Sequence, residues 1–191
     1  MISKLTGFIS EVEEKTLTLD VHGVGYEIFL SPGTLAGLLP SDEPITIYTH
    51  MHVREQSMEL FGFLSKDSKH FFEMVIGVSG IGPKGALGVL DIAPLQTLVG
   101  AIMQGDASYL TKVSGVGKKT AEKIVLETRD KVAKLGIEGD MRAVQDDSDA
   151  LAALQALGYT LIQARDVLRE IPDEITATNE KITYALKKLG S

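Results

Sequence analysis

The sequence predicts an α+β protein of several domains: a small antiparallel β-barrel, then a helical unit, then a small three-helix unit. Three observations carry this prediction. Five short strand-like segments crowd the first 63 residues. From Ser65 the apolar period changes from two to that of a helix. Within the helical part, a Ser-Gly-aliphatic-Gly sequence occurs twice, 35 residues apart.

The strands read in order as "ISKLTGFIS", "TLTLDV", "GVGYEIFL", "PITIYTHMHV" and "MELFGFL". They are rich in β-branched and aromatic residues and partly alternate, as half-buried strands do. Turn material separates them, and Gly23 and Gly25 bracket an expected tight turn or bulge. So many short strands in so few residues favour a closed antiparallel barrel over a βαβ fold, with the barrel type left open.

After them, "SKDSKHFFEMVIGV" carries Phe71, Phe72, Val75, Ile76 and Val78 at helical spacing, with Ser65 or Asp67 as its cap. Short helices punctuated by glycine follow, and Ala93-Pro94 predicts a start with Pro94 at the first helical position. Residues 136–147 lack apolar periodicity and read as a flexible linker. Beyond it, "DALAALQALGYTLIQARDVLREIP" reads as two helices joined at Gly158, and "NEKITYALKKLG" as a third. Leu154, Leu157, Leu161, Val167 and Leu168 form the expected core of this last unit.

The repeat carries the chemistry. "SGIGPKGALGVL" at 79–90 aligns with "SGVGKKTAEKIV" at 114–125, matching Lys84 to Lys119 and Ala86 to Ala121. One supersecondary unit is therefore used twice. Its glycines permit a tight turn between two helices. The second helix then starts at once, and its free N–H groups form an anion site at the positive end of the dipole. Lys84, Lys118, Lys119 and Lys123 add full charges.

Two nucleotide readings fail. A Walker loop needs Ser or Thr directly after Gly-Lys, but Lys119 follows Gly117-Lys118. "GIGPKG" at 80–85 matches the dinucleotide fingerprint in letters, but a helical segment precedes it and Pro83 sits inside it. A third reading makes both turns mere connectors. The matched lysines and the charge distribution argue against that.

The net charge of −7 opposes general affinity for nucleic acid, but it is unevenly spread. Residues 1–63 carry −6, residues 64–131 carry +2, residues 132–145 are neutral and residues 146–191 carry −3. A polyanion is drawn to the repeat and repelled elsewhere. The absence of cysteine excludes disulfides, thiolate zinc sites and cysteine nucleophiles, and fits a cytoplasmic setting. No signal peptide and no membrane-spanning run is read. No nucleotide loop, metal cluster or triad is found, and no cofactor is expected. His50 and His52 share a strand face without a third ligand, so a surface or structural role is expected for both.

The duplicated "SGIGPK" and "SGVGKKTAEK", with "THMHVREQSMELFGF" at 49–63 and "ALGYTLIQARDVL" at 156–168, resemble the RuvA family of Holliday-junction-binding proteins. The resemblance covers the chain apart from the linker. It implies an OB-fold barrel over 1–63, a tandem helix-hairpin-helix domain over 64–135, and a three-helix, UBA-like domain over 148–191. It also implies a homotetramer, or two stacked tetramers, that binds four-way junction DNA. The partners it implies are the RuvB motor, engaged through 148–191, and the RuvC resolvase. DNA contacts carry over to Gly80, Gly82, Lys84, Gly115, Gly117, Lys118, Lys119, Thr120 and Lys123, and motor contacts to Leu157 and Tyr159. The chain itself is expected to be non-catalytic. The alternative is a helix-hairpin-helix glycosylase or lyase, with Lys84 or Lys119 as nucleophile.

One departure stands out. The family carries paired acids in a pin between the last barrel strands, where they repel phosphates at the junction centre. Here Glu55 is followed by Gln56. Glu59 is a candidate replacement, because four residues along one extended strand it would share the face of Glu55. Arg54, beside the pin, is expected either to meet DNA or to pair with a local carboxylate.

Overall fold

The computed structural model describes residues 1–189 apart from 138, 161, 162, 165, 166, 169, 170, 173, 174 and 176, and apart from the side chains of 141–143 and 145. The first part is a closed barrel of β1 (Lys4–Val12), β2 (Thr16–Val21), β3 (Val24–Phe29), β4 (Ile45–Arg54) and β5 (Ser57–Phe63), in the order β1-β2-β3-β5-β4. Neighbours run antiparallel except β3 and β5, and β1 pairs with β4 to close the ring. This is the OB-fold arrangement. Ile9, Leu17, Leu19, Ile28 and Ile47 fill its interior from alternate strand positions.

Gly62 lies where the strands converge. A Cβ there would come within 2.5 Å of Ile28 and 2.8 Å of Ile47. The β2–β3 turn is His22-Gly23, at φ 55° and 83°, the two left-handed residues of a tight hairpin. Gly25, expected to help form that turn, lies inside β3 opposite Asp20. A short helix, α1 (Pro32–Ala36), was not read from sequence. Ser31 caps it, accepting from the Thr34 N–H, and Pro32 opens its first turn.

The helical part comprises α2 (Lys66–Ile76), α3 (Pro83–Leu90), α4 (Leu95–Gln104), α5 (Ala107–Leu110) and α6 (Lys118–Lys134). Ser65, not Asp67, caps α2, accepting from the Ser68 N–H at 3.0 Å. Pro94 stands one residue before α4, as its cap. Among the described residues no single helix is long and apolar enough to cross a membrane.

Barrel and helices share one core. Phe61 and Phe63 of β5 join Phe71, Phe72 and Val75 of α2, then residues of α3, α4 and α6. Phe72 stacks on Phe61 at 5.5 Å and tilts against Phe63 at 4.8 Å. Two polar ties reinforce the joint. The Gly33 N–H donates to Asp91 at 2.8 Å, and His50 pairs with Glu73 at 3.1 Å.

The end of the chain holds α7 (Met141–Ala156), helical residues at 163–164 and 167–168, and α8 (Thr178–Leu189). Leu154, Ala164, Val167 and Ala185 form its core, with Tyr159 and Leu168 packed against it. Of the expected core, Leu161 lies outside the described residues. Leu157 is corrected: it is 59% exposed. Gly158, at φ +96°, ends α7 in a Schellman motif, with Tyr159 N–H donating to Leu154 C=O and Gly158 N–H to Gln155 C=O.

The segment read as a linker differs from that expectation from Ile137 onward. Ile137 packs on the helical core, and the Asp140 N–H donates to Gln96 of α4 at 2.8 Å. α7 then starts at Met141 and buries Val144 in the same core. A few contacts this widely spaced leave no periodic signature.

Candidate nucleic-acid interface

The two glycine-rich turns have the same backbone. Gly80 and Gly115 sit at φ +98° and +84°. Gly82 and Gly117 cap α3 and α6 with extended φ of −93° and −76°. In each turn the aliphatic residue between the glycines donates its N–H back across the loop, Ile81 to Val78 and Val116 to Val113, both at 3.1 Å. Val78, Val113 and Val116 are buried, so the apolar residues anchor each turn and leave its glycines outside.

The glycines do two different jobs. Positive φ explains Gly80 and Gly115, since a side chain is strained there. Gly82 and Gly117 have ordinary φ, and a Cβ on either would meet no atom within 4 Å. Among the described residues, nothing requires glycine at those two positions. A bare backbone facing open space is what close approach by an outside group requires. Neither helix has a side-chain cap, so the first-turn N–H groups face outward without an internal acceptor. Pro83 removes one donor from α3, whereas Lys118, Lys119 and Thr120 keep all of theirs on α6. The second hairpin therefore offers more first-turn donors than the first.

Lysines surround this surface. Lys84 is exposed, with its ammonium 6.0 Å from the centre of the Phe29 ring. Lys118 lies 4.0 Å from Glu122 in an exposed pair that offsets little of its charge. Lys119 is exposed, and Thr120 is half-buried beside it. Lys123 is different. Its ammonium donates to the Ser79 carbonyl at 3.4 Å and lies 3.7 Å from Glu127, so it ties the second hairpin to the first. Sequence reading could not find that role, because Ser79 is remote in the chain and offers a backbone atom.

The β4–β5 hairpin forms a second feature. Arg54 pairs with Ser57, leaving Glu55-Gln56 as the turn at an exposed tip. Glu59 is corrected here. The chain reverses between it and Glu55, so the two do not lie along one strand face. Glu59 sits on β5 opposite His52, two residues back from Ser57 and about 7 Å down the strand. Arg54 pairs with no carboxylate among the described residues; its Nε donates to His52 Nε2 at 3.0 Å. His50 bonds to Glu73 at 3.1 Å, and no group of three or more metal-ligating side chains converges among the described residues.

At the far end, Leu157 is exposed beside the half-buried Tyr159. Sequence reading missed Asp147 of α7. Its carboxylate accepts from Tyr109 Oη at 2.8 Å and from Lys181, and lies 4.0 Å from Lys112. Lys181 is 8% exposed, so this carboxylate balances a nearly buried charge.

Three family models match successive parts of the chain. Residues 1–62 match the RuvA N terminal domain, 72–130 the SAM-like helix-hairpin-helix tandem, and 147–190 the RuvA C-terminal domain. A protein of Caldanaerobacter subterraneus subsp. tengcongensis, named Holliday junction branch migration complex subunit RuvA, is 38% identical over 193 residues, covering all of both chains. Proteins of the same name from Thermoanaerobacter sp. (strain X514) and Pseudomonas fluorescens (strain SBW25) are 39% and 38% identical, covering 99% and 98% of each chain.

Proposed function

The chain belongs to the RuvA family, and from that membership we propose that it binds four-way Holliday junctions in DNA by their shape and serves branch migration. The observation that carries the reading is the matched pair of hairpins. Both present uncapped helix N-termini and bare glycine backbone in the only net-positive segment of an acidic chain. Phosphate contacts of this kind fix position on DNA without reading sequence.

The mechanism follows from the charges. Gly80, Gly82 and Lys84 take one backbone phosphate. Gly115, Gly117, Lys118, Lys119 and Thr120 take another, while Lys123 sets the spacing between the two hairpins and adds charge. The acidic barrel keeps other phosphates away, and Glu55 at the β4–β5 tip provides its repulsion at the junction centre. With Gln56 beside it, each subunit contributes one tip carboxylate. Four subunits surround the junction as one ring, or eight as two stacked rings. The unit from residue 148 onward engages the RuvB motor through the surface around Leu157 and Tyr159, and RuvC acts on the same complex. The chain has no catalytic step of its own; ATP hydrolysis belongs to the motor.

A paired substitution tests the phosphate contacts. K118A/K119A should weaken binding to junctions of unrelated sequence by the same factor. It should also flatten the salt dependence by about one log–log unit for each phosphate no longer held. Unchanged affinity would reject these contacts. Borohydride trapping on abasic DNA addresses the lyase alternative: a covalent adduct at Lys84 or Lys119 would favour it.

A further inference from the structure

The barrel holds three basic residues against nine acidic ones, and one of the three stands at the exposed β4–β5 tip. We infer that Arg54 grips a DNA backbone phosphate beside the tip, and that His52 is the positioning residue that holds its guanidinium ready. The inference rests on the junction-binding reading above.

Arg54 has acids close by, Glu55 next in sequence and Glu59 across the strands opposite His52. Coulomb attraction alone would draw it to one of them. Instead its Nε donates to His52 Nε2 at 3.0 Å, and it forms no ion pair among the described residues. The acceptor is an imidazole nitrogen, not a carboxylate. The bond orients the guanidinium without cancelling its charge. It also occupies Nε alone, leaving both terminal nitrogens as the planar fork that suits phosphate oxygens.

The support behind His52 reaches the core. Residues 50, 52 and 54 alternate onto one face of β4. His52 lies 6.4 Å from both the Phe61 and His50 rings. His50 bonds to Glu73 of α2 and packs its edge on Phe72. Arg54 is thus held in the same rigid frame as the two hairpins. The tip then carries a grip and a repulsion side by side. Arg54 draws a phosphate to one side of the hairpin, and Glu55 keeps it off the turn.

The test is a titration of the full chain against a four-way junction over a range of salt concentrations. R54Q should lower affinity and reduce the log–log salt slope by about one for each tip engaged. H52A leaves the charge but frees it, so it should cost about two- to fivefold in affinity. H52Q, whose amide oxygen can accept the same bond, should restore most of that loss. In an R54Q background H52A should cost nothing further. An R54Q protein with unchanged affinity and slope overturns the inference. So does an H52A effect that persists in the R54Q background. Arg54 lies at the exposed tip and His52 is half-buried two residues behind it, so an unchanged melting temperature for each variant controls for folding. If the unsubstituted chain shows no preference for the junction over linear duplex, the underlying reading falls and this inference with it. If that preference holds while R54Q is silent, this inference falls alone.

Discussion

The four hairpin glycines separate a folding requirement from a binding requirement. Gly117 has ordinary φ and open space, so G117A should change stability by less than ~1 kcal/mol, the range of a cap substitution. Its methyl group would occupy the approach to the α6 N-terminus, so junction affinity should fall by at least tenfold. Gly115 is at φ +84°, where a side chain costs about 1–2 kcal/mol, so G115A should lower both stability and affinity. Thermal unfolding beside a binding titration distinguishes the two; equal melting losses would contradict the division. The repeat made all four glycines legible in sequence, because letters at fixed offset carry their own register. Partnerships across the fold were not legible. Lys123 finds a backbone carbonyl in the other hairpin, and Arg54 finds an imidazole instead of a carboxylate. Glu59 was misplaced for a simple reason: a spacing of four residues shares a face only along a single strand, and Glu55-Gln56 is the turn between two.

Among the elements, all five strands were legible from composition and alternation, and α2 from its apolar spacing and Ser65. α1 was not, because a single turn of helix has no period to detect. The start of α7 was missed because only a few contacts bind the segment before it. Ile137 and Val144 pack on the core, and Gly139 lies so close to α4 that a Cβ would come within 2.9 Å of the Gly100 nitrogen. Asp147 fastens α7 to both neighbouring parts, through Tyr109 and Lys112 on one side and Lys181 on the other. Removing it leaves a nearly buried ammonium without its carboxylate. D147A should therefore cost about 2–3 kcal/mol, more than a surface ion pair and near the range for hydrogen bonds to charged groups. It should also raise amide exchange in α8, which hydrogen exchange would detect; unaltered exchange would mean that Asp147 is not what fastens it.

Across the whole molecule, the shared aromatic core matters most for function. Phe61 and Phe63 of the barrel pack on Phe72 of the helical part, so the acidic tip and the two hairpins keep a fixed separation. A rigid ruler of this kind can recognise a DNA shape where single phosphate contacts cannot. In the proposed function the charge distribution works with it, positive over the hairpin segment and negative along the barrel. The central claim is therefore preference for a branched shape, most directly measured by equilibrium competition between a four-way junction and a linear duplex of equal length and composition, repeated across salt concentrations. The account predicts that the junction wins by at least a hundredfold at about 0.15 M salt, with a steep salt dependence for the junction complex. Equal affinity for the two DNAs, or binding indifferent to salt, would contradict it.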